Sequence, residues 1–314
     1  MIIDMHTHIG DLRAPGEEDR QIVTVENLIQ RLDDEGIDKA VVLPMGVTPE
    51  SSKAPFLFDS LSSVAGQLKA AASRPDRLIL FGNLDPRLAC LGNLEPHQVE
   101  NPPVTDFAPF LKRFKEMGCV GIGEVTANLP LDNPGVINMF RQCGEWEMPV
   151  LFHCTGPGAG VYGLFDKVGL PGLEKLLIKA PDTVIIGHAP GFWSEISGDI
   201  IPENKFIYPE GPIVKEGSLQ RLLRAYPNLY ADISANSGFN AISRDKNYGV
   251  KFLNEFQDRV LFGTDVCYGD EEGRRPHLAY LRNLLSEGYI GREIFEKITG
   301  GNALRILKLY KSSG

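Results

Sequence analysis

Eight short apolar runs punctuate this chain, and each gives way to a longer stretch of helical character. They read MIIDMH at 1–6, KAVVLP at 39–44, LILFGN at 78–83 and CVGIGEV at 119–125. PVLFH at 149–153, TVIIGH at 183–188, LYADIS at 229–234 and VLFGTD at 260–265 follow. Such dense Val, Ile, Leu and Phe is what strands covered on both faces require. Between them ENLIQRLDDEG, FAPFLKRFKEMG and VKFLNEF repeat apolar residues at helical spacing, the first two with a glycine stop. Strand–helix alternation of this kind predicts an α/β fold with a parallel sheet, closed into a (β/α)8 TIM barrel. An open doubly wound sheet would show the same alternation and stays as the competitor. The 314 residues fit the roughly 250 of such a barrel plus insertions. With no linker or low-complexity tract in the sequence, one domain over 1–314 is expected. Long insertions follow the third and sixth predicted strands, at 86–105 and 189–217, and loops of that length are commonly functional.

Bulk properties narrow the function classes. The net charge of −9, from 41 acidic and 32 basic side chains, works against a nucleic-acid surface. Apolar runs stop far short of the roughly 20 residues that cross a bilayer, and the N-terminus opens on a strand rather than a signal-peptide pattern. Cys90, Cys119, Cys143, Cys154 and Cys267 are odd in number and form no C-x-x-C pair. They read as reduced thiols of a cytoplasmic protein.

The ends of the runs carry the chemistry. The first ends in His6 and His8, which share one strand face because side chains alternate. The fourth ends in Glu124, the fifth in His153, the sixth in His188 and the eighth in Asp265. Four of the chain's 6 histidines therefore stand at C-terminal strand ends, which a barrel brings to one mouth. A His-x-His pair alone is weak. Imidazoles and carboxylates drawn from five strands form the ligand set of a catalytic Zn, Mn or Fe site. Such an ion lowers the pKa of bound water from about 15.7 to near 7. Asp265 beside that water would take its proton, and His188 would orient the water or the developing oxyanion.

The segments DMHTHIG, GIGEV, LFHCTG, IIGHAPG and FGTD resemble the amidohydrolase superfamily of metal-dependent barrels. RVLFGTD and GGNALRIL are similar to its amidohydrolase 2 branch, which holds hydrolases and aminocarboxymuconate-type and aromatic-acid decarboxylases. The resemblance runs from residue 2 to about residue 309. It implies that His6, His8 and His153 are metal ligands, that His188 binds a second metal or holds the water, and that Asp265 is both ligand and proton acceptor. Glu124 departs from the carboxylated lysine of many binuclear members. It looks like the bridging glutamate of TatD-type hydrolases, which tilts the count from one ion to two, zinc first, with manganese or iron as alternatives.

The expected activity is hydrolysis of an amide, ester or lactone of a small carbonyl substrate. A metal-dependent decarboxylase of a small aromatic or unsaturated acid is the alternative, and phosphoester hydrolysis or a non-catalytic barrel rank below both. Trp193 and Phe192, with Tyr208, are expected to wall or lid the substrate, or else to make an oligomer contact. One or two of Arg244, Arg13, Arg87 and Lys246, Arg244 first, are expected to grip a substrate carboxylate, or else all four are solvated loop charges. Asp232 is expected to fix a ligating imidazole, Asp4 to act there or cap a barrel turn, and Asp85 to make a turn. His97 and His277 read as surface or helix-start residues. Homo-oligomer formation is left open.

Overall fold

The predicted alternation folds into eight parallel strands in a computed structural model that describes residues 1–13, 16–17, 19–46, 63–88, 105–158, 161–270 and 276–309. They are β1 (Ile3–Thr7), β2 (Lys39–Val42), β3 (Leu78–Gly82), β4 (Gly121–Val125), β5 (Val150–Thr155), β6 (Ile185–His188), β7 (Leu229–Asp232) and β8 (Val260–Leu261). Each pairs with the next in chain order. The seam between β8 and β1 is where a barrel and an open sheet differ. Here Met5 N donates to the Phe262 carbonyl at 2.9 Å and Asp265 N to the His6 carbonyl at 2.8 Å. Thr7 and Val266 form a parallel bridge beyond them. The sheet is thus a nearly closed (β/α)8 barrel.

Asp4 clamps that seam. Its Oδ1 accepts from His6 N at 3.0 Å and Thr264 N at 2.9 Å, and its Oδ2 from Thr264 Oγ1 at 2.5 Å. Two differences from the sequence reading stand out. β8 keeps two ladder residues rather than the six expected, because the chain turns out of the sheet to reach Asp265, whose φ is +58°, a left-handed value foreign to strands. A short extra strand, Leu164–Phe165, pairs with Cys154 and Thr155 of β5 outside the barrel circuit.

The helices form for local reasons the sequence carries. Val25–Glu35 starts at Thr24, whose Oγ1 accepts from Asn27 N at 3.2 Å while Asn27 Oδ1 accepts from Thr24 N at 2.8 Å. It stops at Gly36, where φ is +68°. Its Leu28, Ile29 and Leu32 pack on the sheet. Ala108–Glu116 and Lys246–Glu255 bear out the other two helical readings.

Strand alternation divides the core into two clusters. Val42, Leu80, Phe152, Leu229 and Phe262 face the helices. Ile3, Met5, Val41, Phe81, Leu151, Ile186, Tyr230 and Leu261 fill the barrel, with Ala303 and Ile306 of the last helix against them. Each fully buried Val, Leu, Ile, Phe or Met among them contributes about 1.5–3 kcal/mol. On β5 and β6 the interior parity of Leu151 and Ile186 continues directly to His153 and His188. On β1 and β4 it does not. Met5 is interior, so strict alternation would turn His6 to the helices, and Ile122 faces the helices, so alternation would send Glu124 there too. Both strands shift register, between Asp4 and Thr7 and between Ile122 and Val125. A bulge re-aims side chains in this way.

Of the insertions, 189–217 opens with a short helix, Pro190–Trp193, and a 3-10 turn, Ser194–Ile196. A Ser197–Glu216 bridge closes it. Residues 89–104 of the other insertion, with His97 and Cys90, lie outside the described residues. Cys119, Cys143 and Cys154 are buried thiols and Cys267 is half-buried. Among the described residues, no helix is long and apolar enough to cross a membrane.

Candidate metal centre

At the C-terminal mouth of the barrel the six polar strand-end residues come together. His8 Nδ1 lies 2.9 Å from the Leu43 carbonyl, which only accepts, so that nitrogen carries the proton. His6 Nδ1 lies 2.7 Å from Asp232 Oδ2 and is protonated for the same reason. In the neutral rings both Nε2 atoms, 3.1 Å apart, turn lone pairs toward each other. Asp265 Oδ1 joins them, 3.1 Å from His8 Nε2 and 3.5 Å from His6 Nε2. Three such atoms repel unless a proton on His6 or a metal ion stands among them. Ligand bonds of about 2.0–2.1 Å at a tetrahedral angle separate two donors by about 3.3 Å. The residues fit a divalent ion.

A second group adjoins the first. Glu124 Oε1 lies 2.8 Å from His153 Nδ1 and 3.7 Å from His188 Nε2. Its Oε2 lies 3.9 Å from His6 Nε2 and 4.0 Å from His8 Nε2. Two donor triads result, His6–His8–Asp265 and His6–Glu124–His188, each with its ligand atoms within 4.8 Å of one another. Glu124 spans the space between them.

Electrostatics follow from this crowding. Burial works against charge on His6, Glu124 and Asp265, yet mutual attraction prevails. The three carboxylates Asp265, Asp232 and Glu124 push His6 up to about 10, against its desolvation. Glu124, though desolvated, is drawn down to about 2 by His153, His6 and His188. Asp265 is likewise held well below the usual carboxylate range, the imidazoles of His6 and His8 outweighing burial. Both carboxylates are ionised at neutral pH, as ligands must be.

Beneath the donors lies a shared support. Asp232, fully buried, takes His6 Nδ1 at 2.7 Å, Ser234 Oγ at 2.6 Å and His188 Nδ1 at 3.2 Å on one oxygen, and Ser234 N at 2.9 Å on the other. Ser234 Oγ also lies 3.1 Å from His6 Nδ1 and 3.0 Å from His188 Nδ1. Asp232 thus sits where a carboxylate fixes ligating imidazoles. Ser234 was missed in the sequence, although its i+2 spacing from Asp232 was a usable signal.

A cavity of about 350 Å³ opens over the centre, lined by His153, His188 and Asp265 and by Thr155, Val161, Tyr162, Ala189, Pro190, Tyr208, Ala235 and Ser237. Tyr208 stands in that wall as expected. Phe192 and Trp193 do not: they are 0% and 2% exposed. Phe192 packs on Gly187 of β6 and against Phe152. Trp193 donates from Nε1 to the Asp232 carbonyl at 2.7 Å. They brace the floor of the site. Arg244 is held by the carbonyls of Glu210 and Gly211 and the Ser197 hydroxyl. It lines a neighbouring cavity of about 320 Å³ that shares Tyr208 with the first. Arg13 pairs with Asp11, Arg87 with Asp85 and Lys246 with Glu287. His277 starts a helix but is buried rather than on the surface, its Nε2 2.8 Å from the Ala235 carbonyl.

The family model described as amidohydrolase matches residues 107–309. The chain belongs to the amidohydrolase 2 family. Among solved structures, a zinc-bound amidohydrolase from Burkholderia multivorans aligns over 98% of this chain and 99% of its own, at 13% identity and a TM-score of 0.60. A probable 2-pyrone-4,6-dicarboxylic acid hydrolase from Acinetobacter baumannii, with citric acid bound, aligns over 98% and 99% at 13% identity and a TM-score of 0.56. A 5-carboxyvanillate decarboxylase from Novosphingobium aromaticivorans, with manganese and 4-hydroxy-3-methoxy-5-nitrobenzoic acid, aligns over 98% and 96% at 16% identity and a TM-score of 0.60. At these identities the likeness is one of fold. No curated protein matches the chain. This amidohydrolase 2 barrel thus shares its architecture with both hydrolases and decarboxylases.

Proposed function

We propose that this protein is a metal-dependent hydrolase that cleaves an amide, ester or lactone bond of a small carbonyl substrate. His6, His8, Glu124, His153, His188 and Asp265 hold the metal, two ions rather than one, with zinc the first choice. A bound divalent ion supplies Lewis acidity, polarising a carbonyl and acidifying water. The observation that carries the reading is the split position of the Asp265 carboxylate. Oδ1 faces His6 Nε2 and His8 Nε2 at 3.5 and 3.1 Å, while Oδ2 is turned toward His188 Nε2 at 3.8 Å in a residue that lines the cavity. On this reading one oxygen would ligate and the other would accept a proton from water on the substrate side. Asp265 then returns that proton to the leaving group.

His188 has its Nδ1 against Asp232 and Ser234, so in the neutral ring Nε2 is a lone pair aimed at Glu124 and Asp265. That favours ligation over donation to an oxyanion. Val161, Ala189 and Pro190 give the cavity wall a neutral, apolar part, suited to a small organic substrate. The test is metal analysis of protein purified without added salts, followed by lactone, ester, amide and aromatic-acid panels. Hydrolysis that chelation abolishes and zinc or manganese restores supports the reading. Release of CO₂ from an aromatic acid, without hydrolysis of any carbonyl compound, would establish the decarboxylase instead.

A further inference from the structure

One side chain in the cavity is held in place by unusual local construction and has no task within the protein. After β5, residues 156–158 and 161–163 precede Leu164–Phe165, which pairs with Cys154 and Thr155. Asn128 ties these residues at three points. Its amide donates to the Gly156 and Gly163 carbonyls at 3.0 Å each, and its Oδ1 accepts from Gly158 N at 3.1 Å. Gly163 N donates to the Thr126 carbonyl at 2.6 Å. Gly163 has φ +112°, and a Cβ there would stand 2.6 Å from His153 Cδ2. Only glycine lets the backbone pass so close to a candidate ligand.

The consequence falls on the preceding residue. Tyr162 is laid against the His153 ring, centroids 4.6 Å apart and planes tilted by 47°. It is 48% exposed and forms part of the cavity wall. Among the described residues its hydroxyl has no hydrogen-bond partner. A phenol, with an ordinary pKa near 10, is a donor at neutral pH. A fixed, protonated donor beside the metal-ligating face is the arrangement that stabilises charge developing on a substrate oxygen.

We propose that Tyr162 is a catalytic residue whose O–H donates a hydrogen bond to the oxygen of the substrate carbonyl as it gains negative charge. The proposal rests on the hydrolase reading for the identity of that oxygen. It also defines the substrate class more closely: a carbonyl whose oxygen is reached from the β5 side of the cavity, with its flanking group against Val161 and Tyr208.

The probe is phenylphosphonate, a tetrahedral oxyanion, titrated calorimetrically into the zinc-loaded protein. Tyr162→Phe keeps the ring on His153 and removes only the hydroxyl. Its affinity for the probe is expected to fall about tenfold or more, with zinc content unchanged. Tyr162→Ala should weaken the probe further by opening the wall. Equal affinity of wild type and Tyr162→Phe overturns the proposal, as does failure of wild type to bind the probe. A tenfold difference in a protein that hydrolyses no lactone, ester or amide would sink the hydrolase reading while leaving Tyr162 as the oxygen donor. Hydrolysis that proceeds at the wild-type rate in Tyr162→Phe would do the reverse.

Discussion

Asp232→Asn is the most informative single change because the structure leaves the amide no good orientation. Oδ2 of Asp232 receives His6 Nδ1, His188 Nδ1 and Ser234 Oγ, while Oδ1 receives Ser234 N. An asparagine that keeps its oxygen toward the imidazoles turns its NH₂ onto the Ser234 N–H. The flipped amide sets its NH₂ against two Nδ1–H groups. Either way donors meet donors in a site with 0% exposure. Leaving such a buried donor unsatisfied costs about 1–3 kcal/mol of stability. The larger effect is on metal. Losing the outer partner of one ligating histidine typically costs about 10–100-fold in affinity. Asp232 serves two histidines, so zinc affinity should fall by about 10²–10⁴-fold. Competition with a chromophoric chelator reads this directly, and thermal unfolding of the metal-free proteins isolates the smaller stability loss. A variant that binds zinc within about threefold of wild type, far inside the effect of even one lost partner, would refute the claim that Asp232 orients both imidazoles.

Further outcomes follow from other contacts. Asp265→Asn should leave the fold intact and retain some metal, while turnover falls by the roughly 10²–10⁴-fold of a lost general base; near-normal turnover in a folded, metal-loaded variant would make Asp265 a spectator. Glu124→Gln should lower bound metal from about two per chain to about one with a large loss of activity, and a wild type that never holds more than one ion would favour the decarboxylase alternative. Glu195→Ala strips the partner from Lys205, which is 1% exposed and 2.5 Å from Glu195 Oε1; breaking such a buried pair should cost about 3–5 kcal/mol, seen as a lower urea midpoint, whereas an unchanged midpoint would mean the lysine escapes to solvent. Trp193→Phe removes the hydrogen bond to the Asp232 carbonyl and should cost about 1 kcal/mol in the same assay.

The loops behave differently from the strands as sources of information. Trp193 and Phe192 look in sequence like lid residues, being aromatic and placed in a long insertion after a strand end. They are instead drawn under the insertion, because Gly187 leaves a space on β6 that the Phe192 ring fills and the Asp232 carbonyl takes the indole N–H. Arg244 has the chemistry to grip a carboxylate, but the direction of its guanidinium is set by the Glu210 and Gly211 carbonyls of another segment. Tyr162 sits in GVYG, where nothing in composition or spacing marks it. Its place depends on Asn128 and on a glycine contact with His153, both formed only when separate stretches of chain meet.

Local sequence specifies the elements and the chemistry at their ends. Apolar runs with helical stretches between them specify strands and helices locally, and a His or carboxylate ending such a run is placed at its C-terminal edge whatever the fold. On β5 and β6 even the facing was legible, since period-two alternation carries Leu151 to His153 and Ile186 to His188. On β1 and β4 the same rule would have turned His6 and Glu124 to the helices, and only the register shifts against β2 and β5 bring them inward. Those shifts arise from pairing with neighbouring strands. Closure of the seam, the sharing of Asp232 between two histidines and the walls of the cavity are decided the same way. Each needs groups far apart in the chain to satisfy one another's hydrogen bonds, and no local window of sequence contains both partners.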